Sequence, residues 1–232
     1  MIDYASVGTV LLAALVHATL QLSLGSLLLL YHASLGKHIR IKTRRLASRY
    51  VTGVALMTLL VLSAACFIIF TLCRGAMSTA GLSFCIGALV GLAFCAWFLY
   101  YRSGRSTELW LPKSVASFIN RRAKLTNSNV EAFSLGLLVG FAEMPFTLVL
   151  TIVSANSILM LPQIWQVTML LIYTTVAITP LLVLRIGIRR GQTVVDIQRW
   201  RNKNKTFFRI LSGAGFLVLA GFLLAFEIMG RT

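Results

Sequence analysis

Six apolar runs dominate the chain: Val7 to Tyr31, Tyr50 to Cys73, Ala76 to Tyr101, Ala132 to Leu159, Ile164 to Ile188 and Phe207 to Met229. Each is near or above the roughly 20 residues that a helix needs to cross a bilayer. In hydrocarbon every backbone N–H and C=O must be satisfied, and a run of this length achieves that within itself only as an α-helix. The expected fold is therefore an all-α integral membrane protein with six transmembrane helices. Its 58% hydrophobic content exceeds the about 45–50% usual for soluble domains. The first run lacks a basic leader and a small-residue cleavage site and is too long for a secretory signal core, so it reads as a retained helix.

A net charge of +16 would suggest a nucleic-acid partner in a soluble protein, but its placement says otherwise. Lys37, Arg40, Lys42, Arg44, Arg45 and Arg49 fall between runs one and two. Arg102, Arg105, Lys113, Arg121, Arg122 and Lys124 fall between runs three and four, and eight more from Arg185 to Arg209 surround the junction of runs five and six. An alternating topology puts 20 of the 22 basic residues on one side, leaving Arg74 and Arg231 on the other. By the positive-inside rule the three basic loops are cytoplasmic and both termini external, as in a bacterial inner membrane. Anionic lipid headgroups are the expected partners of these loops, and nucleic acid is not expected.

The loop lengths divide the chain into a three-helix unit at 1–101, a cytoplasmic linker at 102–130 and a second three-helix unit at 131–232. In the linker, Leu111, Val115, Phe118 and Ile119 share one helical face near Trp110, with basic residues opposite. That pattern predicts an amphipathic helix at the membrane interface. Immediately after it, "SNVE" at 128–131 has the form of a capping box, which places the start of the fourth span near residue 130.

A shift of 126 residues carries His17 onto Glu143 and Gly87-Ala88 onto Gly213-Ala214. With three spans per half, such a repeat is a 3+3 inverted one, and inverted-repeat transporters place their sites near the midplane. Glu143 and His17 are the readily ionisable side chains at mid-span. A charged carboxylate at a helix centre costs roughly 2.5–3.5 kcal/mol, so Glu143 should face a partner or water, or be neutral. Thr147 and Thr151 follow Glu143 at one-turn intervals, Gln21 follows His17, and Ser154 and Asn156 extend the polar content of the fourth span. These residues make a candidate proton, ion or substrate site between spans one and four; a structural hydrogen bond from Glu143 to His17 is the alternative. Pro145 and Pro180 each remove a backbone donor and predict a kink or break in spans four and five.

The small-residue spacing at Gly87 to Gly91 and at Gly213 to Gly221 predicts close helix packing, or contact between copies in a homo-oligomer. Cys66, Cys73, Cys85 and Cys95 show no CxxC or metal-ligand spacing and read mainly as apolar filler. Phosphate-binding, dinucleotide and nucleophile motifs are missing, so neither an enzyme nor a cofactor is expected.

Six spans, external termini, a 3+3 repeat and the segments "GLLVGFAEMPFTLVL" and "FRILSGAGFLVLAGFLL" together resemble the LysE and DsbD/CcdA group of membrane proteins. That resemblance implies either export of amino acids and cations or thiol electron transfer. Members of the CcdA type carry proline-adjacent cysteines in spans one and four. Here the matching positions hold His17-Ala18-Thr19 and Glu143-Met144-Pro145, so the thiol relay does not carry over. LysE-type exporters have a proline motif in span one, where this chain has no proline. The expected function is proton- or ion-coupled export of a small solute or cation. The alternatives are a thiol–disulfide carrier using Cys66, Cys73 and Cys85, or a non-transporting membrane scaffold.

Overall fold

The computed structural model describes residues 3–20, 23–32, 39–98, 113–189, 199–200 and 203–228. These are helical almost throughout: α1 (Tyr4–Thr19), α2 (Ser23–His32), α3 (Ile39–Leu72), α4 (Thr79–Phe98), α5 (Lys113–Leu125), α6 (Asn129–Leu159), α7 (Gln163–Ala177), α8 (Thr179–Arg189) and α9 (Lys205–Leu223), which runs into a π-helical turn at Leu224–Ile228. No strand occurs among the described residues. Four helices are long and apolar enough to cross a membrane, and a fifth crossing results if α7 and α8, bent by 45° at their junction, count as one span.

The difference from six lies in the first run. Instead of one helix from Val7 to Tyr31, α1 stops at Thr19, where the Leu20 amide bonds back to the His17 carbonyl at 3.0 Å and Thr19 Oγ1 donates to the Val16 carbonyl at 2.7 Å. This tight final turn closes α1, which spans only 16 residues. Its start follows local rules: Asp3 accepts from the Ala5 amide at 3.1 Å and from Ser6 Oγ at 2.6 Å. The second run differs in the other direction. α3 begins at Ile39, eleven residues before Tyr50, because the Arg- and Lys-rich segment is itself a good helix former.

The capping box forms as its sequence predicts. Ser128 Oγ accepts from the Glu131 amide at 3.1 Å, while Glu131 Oε2 accepts from the Asn127 and Ser128 amides at 2.8 and 3.3 Å. The linker helix α5 packs on α2 and α6. It buries Ile119 and Ala123, whereas Val115 and Phe118 on its expected apolar face remain exposed. Leu111 and the rest of 101–112 lie outside the described residues.

The most extensive helix pair is α3 against α6, and α1 is surrounded by α6, α7 and α9, while α4 lies along α9. At the α3–α6 crossing two glycines face each other. A Cβ at Gly136 would collide with the Tyr50 carbonyl, and one at Gly53 with the Phe133 carbonyl. Gly136 and Gly140 form a GxxxG pair that the sequence reading passed over. Gly87 and Gly91 were expected at a close contact, yet neither has anything within 4 Å of its Cβ position; nor does Gly221. Gly213 does meet a neighbour, the Trp97 indole. The α3–α4 hairpin turns through Arg74 (φ 54°) and Gly75 (φ 98°). It is pinned from α6, where Asn156 Oδ1 accepts from the Met77 amide at 2.8 Å. Asn156 is fully buried, so Asn156→Ala strands that amide and is expected to cost about 1–3 kcal/mol, read as a lower melting temperature in detergent.

Apolar packing forms two clusters rather than one. The first joins Val10 to Leu20 of α1, Leu62 and Ile69 of α3, Leu150 to Ile158 of α6, Met169 to Ala177 of α7 and the second half of α9. The second joins Leu27 to Leu30 of α2, Leu46 to Val54 of α3, Ile119 and Ala123 of α5, Ala132 to Val139 of α6 and Ile178 to Leu184 of α8. Among the described helices, those that run from one cluster into the other do so at a helix break or past a buried polar residue. These crossings are the α1–α2 and α7–α8 breaks, Thr58 in α3, and Glu143 with Thr147 in α6.

Candidate functional site

The polar level between the two clusters is built on α6. Glu143, Thr147, Thr151 and Ser154 recur at three- and four-residue spacing, which puts them on one helical face, and all four are buried. Thr147 Oγ1 donates to the Glu143 carbonyl at 3.3 Å, and Thr151 Oγ1 donates to the Thr147 carbonyl at 2.9 Å. The threonine hydroxyls thus satisfy themselves on their own helix, as buried hydroxyls in a membrane helix must. Asn156, a turn further on, is committed to the α3–α4 hairpin and lies apart from this face in its role.

Pro145 sits inside a helix that continues unbroken from Asn129 to Leu159. One missing backbone bond is tolerated there because α3 and α1 pack along the helix on either side. Pro180 behaves as expected for a break. It is the second residue of α8, where an early-turn N–H would have no intrahelical partner anyway. The preceding Ile178 amide closes α7 on the Thr174 carbonyl at 3.1 Å, and the two helices diverge by 45°.

His17 comes from the last turn of α1 and is 5% exposed. Its side-chain hydrogen bond runs to Tyr173 of α7, with Nδ1 2.9 Å from the Tyr173 hydroxyl and the rings edge-on at 67°. Through Nδ1 the imidazole is thus tied to α7, which flanks α1 together with α6. Each partner stands about one turn before its helix breaks, so this bond ties two helix ends together. Thr151 and Ser154 both lie near enough to the Tyr173 hydroxyl to act on it electrostatically. Ser154 Oγ nonetheless makes no hydrogen bond of good geometry among the described residues, although the residue is fully buried.

Glu143 meets a different tyrosine. Its carboxylate acts electrostatically on Tyr50 of α3, and the Tyr50 hydroxyl shares a side-chain hydrogen bond with Ser26 of α2. Tyr50 is wholly buried and Ser26 nearly so. Tyr50, Ser26 and Tyr173 were missed from sequence. Tyr50 reads there as the interfacial start of a span, and Tyr173 as one more aromatic in "LLIYTTVAITP". For Tyr173, a tyrosine within a span whose hydroxyl needs a partner was the available signal. Gln21 lies outside the described residues.

No family model, curated protein or solved structure matches this chain. The four cysteines are free thiols: Cys85 is buried, Cys66 packs partly against the first cluster, and Cys73 and Cys95 are exposed.

Two polar groups border the α6 face: Glu143, which acts electrostatically on Tyr50, on one side of Thr147, and His17 with Tyr173, beside Thr151 and Ser154, on the other. Protons can pass between acidic and hydroxyl groups placed this way only if the hydroxyls reorient, which side-chain rotors do readily. Tyr173→Phe removes the partner of a buried imidazole. It is expected to lower stability by about 1–3 kcal/mol, and an unchanged melting temperature would show that the His17–Tyr173 bond contributes nothing.

Proposed function

We propose that the chain is a polytopic membrane transporter, with α1 and α2 forming a broken sixth span, that couples export of a small solute or cation to a proton or ion bound at Glu143. One observation carries the reading. A buried carboxylate stands on α6 between the two apolar clusters, which also part at the bent α7–α8 span. Broken helices at mid-depth are how many transporters present backbone groups to a substrate, and intramembrane carboxylates commonly mark proton or ion pathways. Ser154, fully buried beside Tyr173, adds one more hydroxyl to the same polar face.

In this reading Glu143 is the titrating group. His17 with Tyr173 forms the second wall, and Thr147 and Thr151 line the face between them. The α1–α2 and α7–α8 breaks act as hinges, and one half rocks against the other. The LysE-type resemblance and the inverted repeat belong to the same proposal, as do cytoplasmic basic loops and external termini. The experiment is flux in proteoliposomes loaded with amino acids or monovalent cations under an imposed pH gradient. Transport that follows the gradient supports the reading, and indifference to the gradient for every solute removes it.

A further inference from the structure

The α3 face beyond Arg44 has a second feature that the transport site does not use. An open pocket of about 380 Å³ is lined by Arg45, Ser48, Arg49 and Thr52 of α3 and by Asn129 at the start of α6. Ser48 and Thr52 spend their hydroxyl protons on the Arg44 and Ser48 carbonyls, at 3.1 and 2.9 Å. The donors left in the pocket are the two guanidinium groups and the Asn129 amide. Neither arginine is paired with a carboxylate among the described residues. Glu131, two residues from Asn129, turns its own carboxylate to the Asn127 and Ser128 amides. Two arginines with no carboxylate partner among the described residues, lining one recess with Asn129, supply the donors and charge that a phosphate group takes.

What lies beyond the pocket says which phosphate. The apolar span of α3 begins at Arg44, so Arg45 and Arg49 occupy its first turns, where long basic side chains reach headgroup level. Continuing from them at four- and three-residue steps, the same helical face carries Thr52, then Leu56 and Leu60, both exposed. The face thus reads cationic, polar and apolar in sequence, which is the profile of a phospholipid lying along a helix. The close approach of Gly53 to α6 draws α6 alongside and supplies the second wall.

We infer that Arg45, Arg49 and Asn129 form a specific site for the phosphate of an anionic phospholipid whose acyl chain runs along Leu56 and Leu60. The site is independent of Glu143. The test uses the full chain in detergent, with thermal melting followed while phosphatidylglycerol, phosphatidylcholine or inorganic phosphate is added at equal concentration. Phosphatidylglycerol alone should raise the melting temperature, and native mass spectrometry should show one retained molecule per chain. The Arg45→Gln/Arg49→Gln variant should weaken this binding on the order of tenfold or more, whereas Arg121→Gln/Lys124→Gln on exposed α5 should leave it unchanged. Equal losses in both variants would reduce the effect to general surface charge and overturn the site. An equal rise with inorganic phosphate would overturn the lipid assignment, and an equal rise with phosphatidylcholine would overturn recognition of the anionic headgroup. Should the glutamine variant fail to fold, Arg45→Lys/Arg49→Lys keeps the charge and removes the bidentate fork. Reduced phosphatidylglycerol retention then supports the site, and undiminished retention overturns it.

Discussion

Glu143→Gln is expected to reduce pH-driven flux in proteoliposomes to the level of empty liposomes while leaving the protein folded. Glutamine keeps the length of the side chain and its capacity to accept a hydrogen bond. It removes only the ability to gain and lose a proton. Because an ionised carboxylate at mid-span costs roughly 2.5–3.5 kcal/mol, the neutral variant should melt no lower than the parent and could melt higher. The two readouts separate the hypotheses. Lost flux with retained stability is the signature of a titrating site, and retained flux would remove Glu143 from the mechanism. A collapsed melting temperature would show that the carboxylate is structural. His17→Gln and Tyr173→Phe provide the comparison on the other wall. Their effect on coupled flux should be partial if they adjust the site rather than carry its proton.

The largest stability effect is expected at Gly136. A methyl group there meets the Tyr50 carbonyl and lies 3.1 Å from the Gly53 Cα. Both neighbours are backbone, so relief requires the two longest helices to separate along a contact that organises the bundle. Gly136→Ala should therefore cost about 3 kcal/mol or more, at the upper end for overpacking. Gly136→Leu should prevent folding. The control is Gly87→Ala, where the Cβ enters open space; removing a mid-helix glycine there should be neutral or stabilising by up to about 1 kcal/mol. Melting of the purified variants in one detergent decides it. If both alanines behave alike, the α3–α6 crossing is looser than its glycines imply. Separation of α3 from α6 would also move Tyr50 away from Glu143, so a partly folded Gly136→Ala protein should lose coupled flux as well.

Several features were legible because they depend on residues within a turn or two of one another. The start of α6 follows from Ser128 and Glu131, and the α7–α8 break from Pro180. The helical character of the chain follows from runs too long and too apolar for another backbone arrangement. The position of Glu143 within the fourth run left a protein partner and water as alternatives, and the structure buries it at 3% exposed. The polar face it shares with Thr147 and Thr151 follows from the helical period alone.

What the helices do to one another was not legible. Each residue turns the helix by about 100°, so a small change in how a helix is rotated decides whether a glycine meets a backbone or open space. The same rotation decides whether an imidazole meets a carboxylate or a phenol. Gly87–Gly91 and Gly136–Gly140 carry the same spacing in sequence, yet only the second lies at a close crossing. His17 aligns with Glu143 under one offset, but α1 ends at Thr19 while α6 runs on to Leu159, and the imidazole turns to Tyr173. By itself the sequence determined that this chain is helical and apolar, with its basic residues clustered between the apolar runs, and that one carboxylate falls inside such a run. The tertiary structure alone decided the partners of that carboxylate and the division of the core into two clusters. Those depend on helix rotation and depth, which packing against neighbours sets and local hydropathy does not.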